Sequence, residues 1–160
     1  AAGIAACADQ ARNLAAEVLI ASDLSRARLA GEAIALATGV PLSIDPRWRE
    51  LDFGAWDGMA PGDVEGAALA RFWDDPDGHA PPGGERWSAL VERVSSALGD
   101  LAARPTLIVT HGGAMRAALA VLCGFDMHQT WAVDLPYNCL LTLRVWPGAT
   151  PTAQIAGLYP

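Results

Sequence analysis

Three stretches of this chain carry side chains suited to holding and acting on an anion: Ser22-Asp23-Leu24-Ser25-Arg26-Ala27, Arg49-Glu50-Leu51-Asp52-Phe53-Gly54-Ala55-Trp56-Asp57-Gly58 and Val109-Thr110-His111-Gly112-Gly113. His111 follows the apolar run Thr106-Leu107-Ile108-Val109 and precedes an Ala/Leu/Met-rich segment from Ala114 to Cys123. A strand is therefore expected to turn into a helix at the two glycines. His111 would stand where free backbone N–H groups and a helix dipole favour a phosphate or carboxylate. Arg26 falls in the first turn of a second expected helix, where its fork of donors fits phosphate oxygens. The competing reading pairs Arg26 with Glu32 or an Asp. Glu50 precedes a loop whose Phe and Trp could raise a carboxyl pKa and make it a general acid. Its competing reading is an ion pair with Arg47 or Arg49. Arg28 reads as solvent-facing, His79 as a loop or substrate-rim residue, and His128 as a surface or capping residue.

The elements that must position these groups are legible in outline. Val18-Leu19-Ile20-Ala21 reads as a buried strand. Ser22-Asp23 then reads as the cap of a helix that runs to about Thr38, with Gly39 as its C-cap and Leu24, Ala27, Gly31 and Ile34 on one face. Residues 41–45 alternate as a short strand, and residues 51–62 have a loop composition. A helix is expected from about Gly62 to Trp73, followed by a long exposed loop, Asp74 to Gly84. Trp87, Leu90, Val91, Val94, Leu98 and Leu101 space out a clear amphipathic helix, with Glu92 and Arg93 assigned to its other face. Asn138–Trp146 and Thr152–Leu158 read as a hairpin at the sheet edge. This order predicts an α/β three-layer sandwich, mostly parallel with helices on both faces, and with its ligand at the carboxyl ends of the strands.

Composition bounds the function. The chain has 160 residues, 52% of them hydrophobic and 18% charged, which fits a single domain (1–160) with a real core. A net charge of −7 excludes a uniformly basic surface for gripping nucleic acid. Arg116 interrupts the longest apolar run, so no membrane span is expected. Cys7, Cys123 and Cys139 are odd in number and widely spaced, and read as buried free thiols in a reducing, cytoplasmic setting. The start, Ala1-Ala2-Gly3-Ile4-Ala5-Ala6, lacks an initiator Met and reads as the interior of a longer chain.

Taken together, the three stretches resemble, in order and rough spacing, the histidine phosphatase superfamily, the phosphoglycerate-mutase-like proteins. Pro81-Pro82-Gly83-Gly84-Glu85 is similar to a Pro-Gly-Gly-Glu element of the same family. With the Phe-Gly-x-Trp loop and Trp73-Asp74-Asp75-Pro76, it looks most like the α-ribazole phosphatase branch of cobalamin biosynthesis. The resemblance implies a phosphomonoester hydrolase working through a phosphohistidine, without metal or other cofactor, on a small phosphorylated substrate. By the same resemblance Arg26 and Gly112 would bind phosphate, Glu50 would donate a proton and His111 would be the second histidine of the site. The family's attacking histidine belongs to an Arg-His-Gly motif on its first strand, and no Arg-His-Gly occurs here. The resemblance thus implies a fold lacking that strand, with an apolar edge left open. A phosphoglycerate-mutase-type transferase and a non-catalytic phospho-ligand-binding member are the alternatives.

Overall fold

The computed structural model describes residues 2–159. Val18–Ala21 forms β1, with Leu42–Ile44 (β2) and Thr106–Val109 (β3) parallel to it on either side, in the order β2-β1-β3. Leu19 lies level with Leu42 and Leu107, and Ala21 level with Ile44 and Val109. This register brings the carboxyl ends of β1 and β3 together, so the turns that leave them, residues 22–26 and 110–113, share one end of the sheet. The Ser22 N–H donates to the Val109 carbonyl at 3.0 Å and stitches the two ends.

Side-chain alternation along β1 divides the core in two. Leu19 packs with Ala8 and Ala11 of α1 (Ala2–Arg12) and Ile34 of α2 (Ser25–Thr38). Ile20 faces the opposite way, against a larger cluster built from α3 (Gly66–Asp74), α4 (Trp87–Gly99) and α5 (Gly112–Cys123). Leu90, Val94, Ala97, Ala114 and Ala117 meet there with Trp48, Leu51 and Phe72. The small alanines of α5 let α4 approach closely. The expected three layers are therefore present.

Local details refine the sequence expectations. The helix after β1 starts at Ser25 with Leu24 at the cap position and no side-chain cap bond. Ser22 instead accepts from the Leu24 N–H at 3.3 Å, which bends the chain before the helix begins. Gly39 closes α2 in the left-handed region, φ 77°, as expected. The helix expected from Gly62 is split: Pro61–Asp63 makes a single 3-10 turn, and α3 begins after Glu65, whose carboxylate caps the N–H groups of Ala67 and Ala68. The Ala-rich start folds into α1, for which the composition held no cap or periodicity signal.

A short helix, α6 (Met127–Thr130), follows α5. Leu140–Trp146 (β4) and Thr152–Tyr159 (β5) then pair antiparallel as the expected hairpin. Among the described residues they form their own two-stranded ladder, hydrogen-bonded to neither edge of the parallel sheet. Among the described residues β3 is paired on its β1 side only, and all four of its residues stay half-buried. Apolar parallel strands are ordinarily covered on both sides, so this edge is under-filled. The three cysteines are free and half-buried rather than buried. Among the described residues no helix is long and apolar enough to cross a membrane.

Candidate active site

His111 closes β3 and sits at the cap position of α5 in an extended conformation. It is 7% exposed. The Arg26 Nε–H donates to His111 Nδ1 at 3.1 Å. Because a guanidinium can only donate, Nδ1 must present its lone pair, and the neutral ring then carries its proton on Nε2. His111 Nε2 is buried and has no hydrogen-bond partner among the described residues. The pKa is held down at about 4, first by burial and then by the charges of Arg26 and Arg93, against a smaller opposing pull from Asp23. The site thus presents a neutral N–H donor in need of an acceptor.

Glu50 reaches the same helix end. Its Oε1 accepts from the Gly113 N–H at 2.9 Å and from the Leu51 N–H at 2.9 Å. One carboxylate oxygen is thereby fixed on the amino end of α5, and Oε2 is left for the cleft. A Cβ at Gly113 would fall on Glu50 Oε1, so the glycine leaves the room in which that carboxylate sits. Gly112 opens α5 and lines the cleft beside Glu50.

The structure resolves the competing sequence readings by pairing the other charges elsewhere. Arg28, not Arg26, lies beside Glu32, at 3.7 Å on the solvent side. Arg47 binds Asp45 and Asp100, and Arg49 binds Asp23, so neither occupies Glu50. The Arg49 hydrogen bonds hold the Asp23 carboxyl below the usual carboxylate range. His79 is exposed in its loop, 3.9 Å from Asp75, and His128 is exposed on α6.

Arg93 is the residue whose placement the sequence reading missed. Assigned to the solvent face of α4, it instead points inward and carries five hydrogen bonds. Nε and Nη2 donate to the two Glu85 oxygens at 2.7 and 2.8 Å. Nη1 donates to the carbonyls of Arg47 and Arg49, and Nη2 to the Glu50 carbonyl at 2.9 Å. The segment carrying Glu50 is thus pinned from behind by α4 and by the Glu of the Pro-Pro-Gly-Gly-Glu element. A signal existed: Arg93 stands three residues after Leu90 and four before Ala97, within the buried stripe. Thr110 adds a second tie, donating from Oγ1 to the Trp48 carbonyl at 2.6 Å. Gly54, at φ 52°, allows its loop to close on residues 82–84, where any Cβ would collide with backbone.

A cleft of about 140 Å³ opens from Glu50, Gly112 and Gly113. Phe53, Phe72, Trp73, Trp87 and Trp131 wall it, and Arg116 closes one side. Phe72 holds this wall together by edge contacts to Phe53 at 6.0 Å, Trp56 at 5.8 Å and Trp73 at 4.9 Å. Among the described residues no cluster of three His, Cys, Asp or Glu side chains could hold a metal ion.

Known proteins share both sequence and fold with this chain. Residues 2–155 match the model of the histidine phosphatase superfamily (branch 1). A glucosyl-3-phosphoglycerate phosphatase of Mycolicibacterium vanbaalenii is 36% identical over 129 residues, covering 72% of this chain and 57% of that protein. A probable phosphoglycerate mutase GpmB of Enterobacter sp. is 34% identical over 143 residues, covering 84% of this chain and 66% of that protein. The chain therefore spans 57–66% of the length of these two relatives. In three dimensions, a mycobacterial glucosyl-3-phosphoglycerate phosphatase in complex with VO3 superposes with a TM-score of 0.84 at 24% identity, over 98% of this chain and 82% of that one. An α-ribazole phosphatase from Shigella flexneri gives 0.80 at 20% identity, over 100% of this chain and 83% of that one. Such likeness shows a shared fold. With the family model spanning nearly its whole length, the chain belongs to the histidine phosphatase superfamily, branch 1.

Proposed function

We propose that this chain provides the phosphate-binding and proton-donating parts of a phosphomonoester hydrolase that works through a phosphohistidine. The observation that carries the reading is the meeting, at the amino end of α5, of a buried neutral His111 with an unpartnered Nε2, the Arg26 guanidinium and a Glu50 carboxyl fixed by the Gly113 N–H. Phosphoryl transfer needs donors aimed at the equatorial oxygens and a proton for the leaving oxygen. His111 Nε2, Arg26 and the Gly112 N–H supply the first. Glu50 supplies the second, with its free oxygen toward the cleft. In the first step the bond from phosphorus to the ester oxygen breaks, a bond to an imidazole nitrogen forms, and Glu50 gives its proton to the departing alcohol. Water then attacks phosphorus, the bond from phosphorus to the imidazole nitrogen breaks, Glu50 takes up a proton from the water, and orthophosphate leaves.

We assign the attacking imidazole to a segment outside the 160 residues. The edge of β3 that is unpaired among the described residues supports this, because an extended segment there would satisfy its open backbone N–H and C=O groups and end beside His111. A single histidine-phosphatase domain is the matching organisation. The relatives bring two substrate candidates, glucosyl-3-phosphoglycerate and the expected α-ribazole phosphate, and the mutase relative brings transfer in place of hydrolysis.

Product analysis on the protein carrying its complete chain tests the reading. Release of orthophosphate with an acid-labile phosphoenzyme is expected, and return of a rearranged phosphoester would identify a mutase. Glu50→Gln is expected to slow alkyl phosphates at least about 10²-fold while sparing activated aryl phosphates. Equal losses on both would remove Glu50 from the proton-donor role.

A further inference from the structure

Arg116 is a buried cation with no ion-pair partner among the described residues. It projects from α5 one turn beyond Gly112 and is 9% exposed. The ion pairs among the described residues leave it out. Its Nε is buried without any acceptor. Nη1 and Nη2 make only long bonds, 3.4 Å to the Gly112 carbonyl and 3.5 Å to the Val133 carbonyl. Trp131 covers one face of the guanidinium, 3.8 Å from ring centroid to Cζ, and is itself buttressed by Trp73 at 4.8 Å. A guanidinium without a counter-ion is costly to bury, and this one is suited to an anion that arrives from outside. Burial disfavours its charge, which Glu50 and Asp134 partly offset from a distance.

The position of Arg116 defines that anion. It lines the same cleft as Glu50, the proposed proton donor to the leaving alcohol, and so faces the space that this alcohol would occupy. We infer that Arg116 is a specificity-determining residue that binds a carboxylate carried by the leaving alcohol, with Trp131 stacked over the pair. This rests on the phosphatase reading of the site. A planar carboxylate matches the guanidinium fork, and the aromatic cover strengthens the pair by excluding water.

The test compares 3-phosphoglycerate with glycerol 3-phosphate, which differ by a carboxylate in place of a hydroxymethyl group. Binding to the complete protein is read from tryptophan fluorescence, and turnover from orthophosphate release. The expected result is a preference for 3-phosphoglycerate of roughly 30-fold or more. In Arg116→Gln that ratio falls to near one, and in Arg116→Lys it is intermediate. Equal affinity of the unaltered protein for the two esters overturns the inference, and needs no variant to fold. So does an Arg116→Gln protein that keeps the ratio or weakens both esters alike, and so does the absence of measurable binding of either at millimolar concentration. A retained carboxylate preference in binding, without hydrolysis of any phosphoester, overturns the phosphatase reading and leaves the Arg116 assignment standing.

Discussion

Acidification is expected to weaken this protein through His111 in a pH window of its own. The ring is buried, faces Arg26 and Arg93, and has its pKa held down from 6.5 to about 4. Between those values the unfolded chain binds a proton that the folded protein refuses, so stability rises with pH across the window and is fully present above pH 6.5. It is lost as pH falls toward 4, and below that His111 contributes no further slope. At ~1.4 kcal/mol for each pH unit the loss amounts to roughly 3 kcal/mol, a large share of a small domain's stability. Paired carboxylates such as Asp23 and Asp45 have lowered pKa values, so their contributions are lost only at more acid pH. Urea denaturation of the wild type and His111→Gln at intervals from pH 7 to pH 4 separates the contributions. The wild type is expected to lose stability over the window and the variant to stay nearly flat. Parallel losses in the two proteins, or a His111 proton NMR titration centred near 6.5, would refute the reasoning.

Two further outcomes follow from the positioning of Glu50. In Gly113→Ala the new methyl displaces the Glu50 carboxylate, while the helix gains up to ~1 kcal/mol in backbone propensity. Turnover of alkyl phosphates is expected to fall about 10²-fold with little change in Tm; wild-type turnover would show that Glu50 need not sit on α5. Arg93→Met removes the shared clamp on Glu85 and on three carbonyls, and is expected to cost about 2–3 kcal/mol, since both Arg93 and Glu85 keep some exposure. A loss below ~1 kcal/mol in chemical denaturation would show that the clamp is dispensable.

Much of the scaffold was legible because it depends on local rules. The apolar runs at 18–21 and 106–109, the left-handed Gly39 and the buried stripe of α4 each express backbone preference or periodicity within a few residues. Boundaries slipped where a side chain chose a local alternative, as when Ser22 bonded Leu24 instead of capping α2, or Glu65 rather than an earlier residue started α3. The hairpin's two strands could be read from their β-prone composition, but not their separation from the parallel sheet. That separation depends on long-range packing, which no local pattern encodes.

Sequence by itself determined which side chains were available for chemistry and that Arg26, Glu50 and His111 each stood at a turn or strand end. It left Arg26 and Glu50 each with a competing ion-pair reading, because an arginine near an acid in sequence says nothing about which acid it meets in space. Only the tertiary structure decided that Arg28 takes Glu32, that Arg49 takes Asp23, and that Arg26 is left to hold His111. It also turned Arg93 inward and buried Arg116 with no ion-pair partner among the described residues. Electrostatic roles are set by distances and burial across the fold, and the register of β1 against β3, which joins residue 21 to residue 109, is what brings those charges within reach.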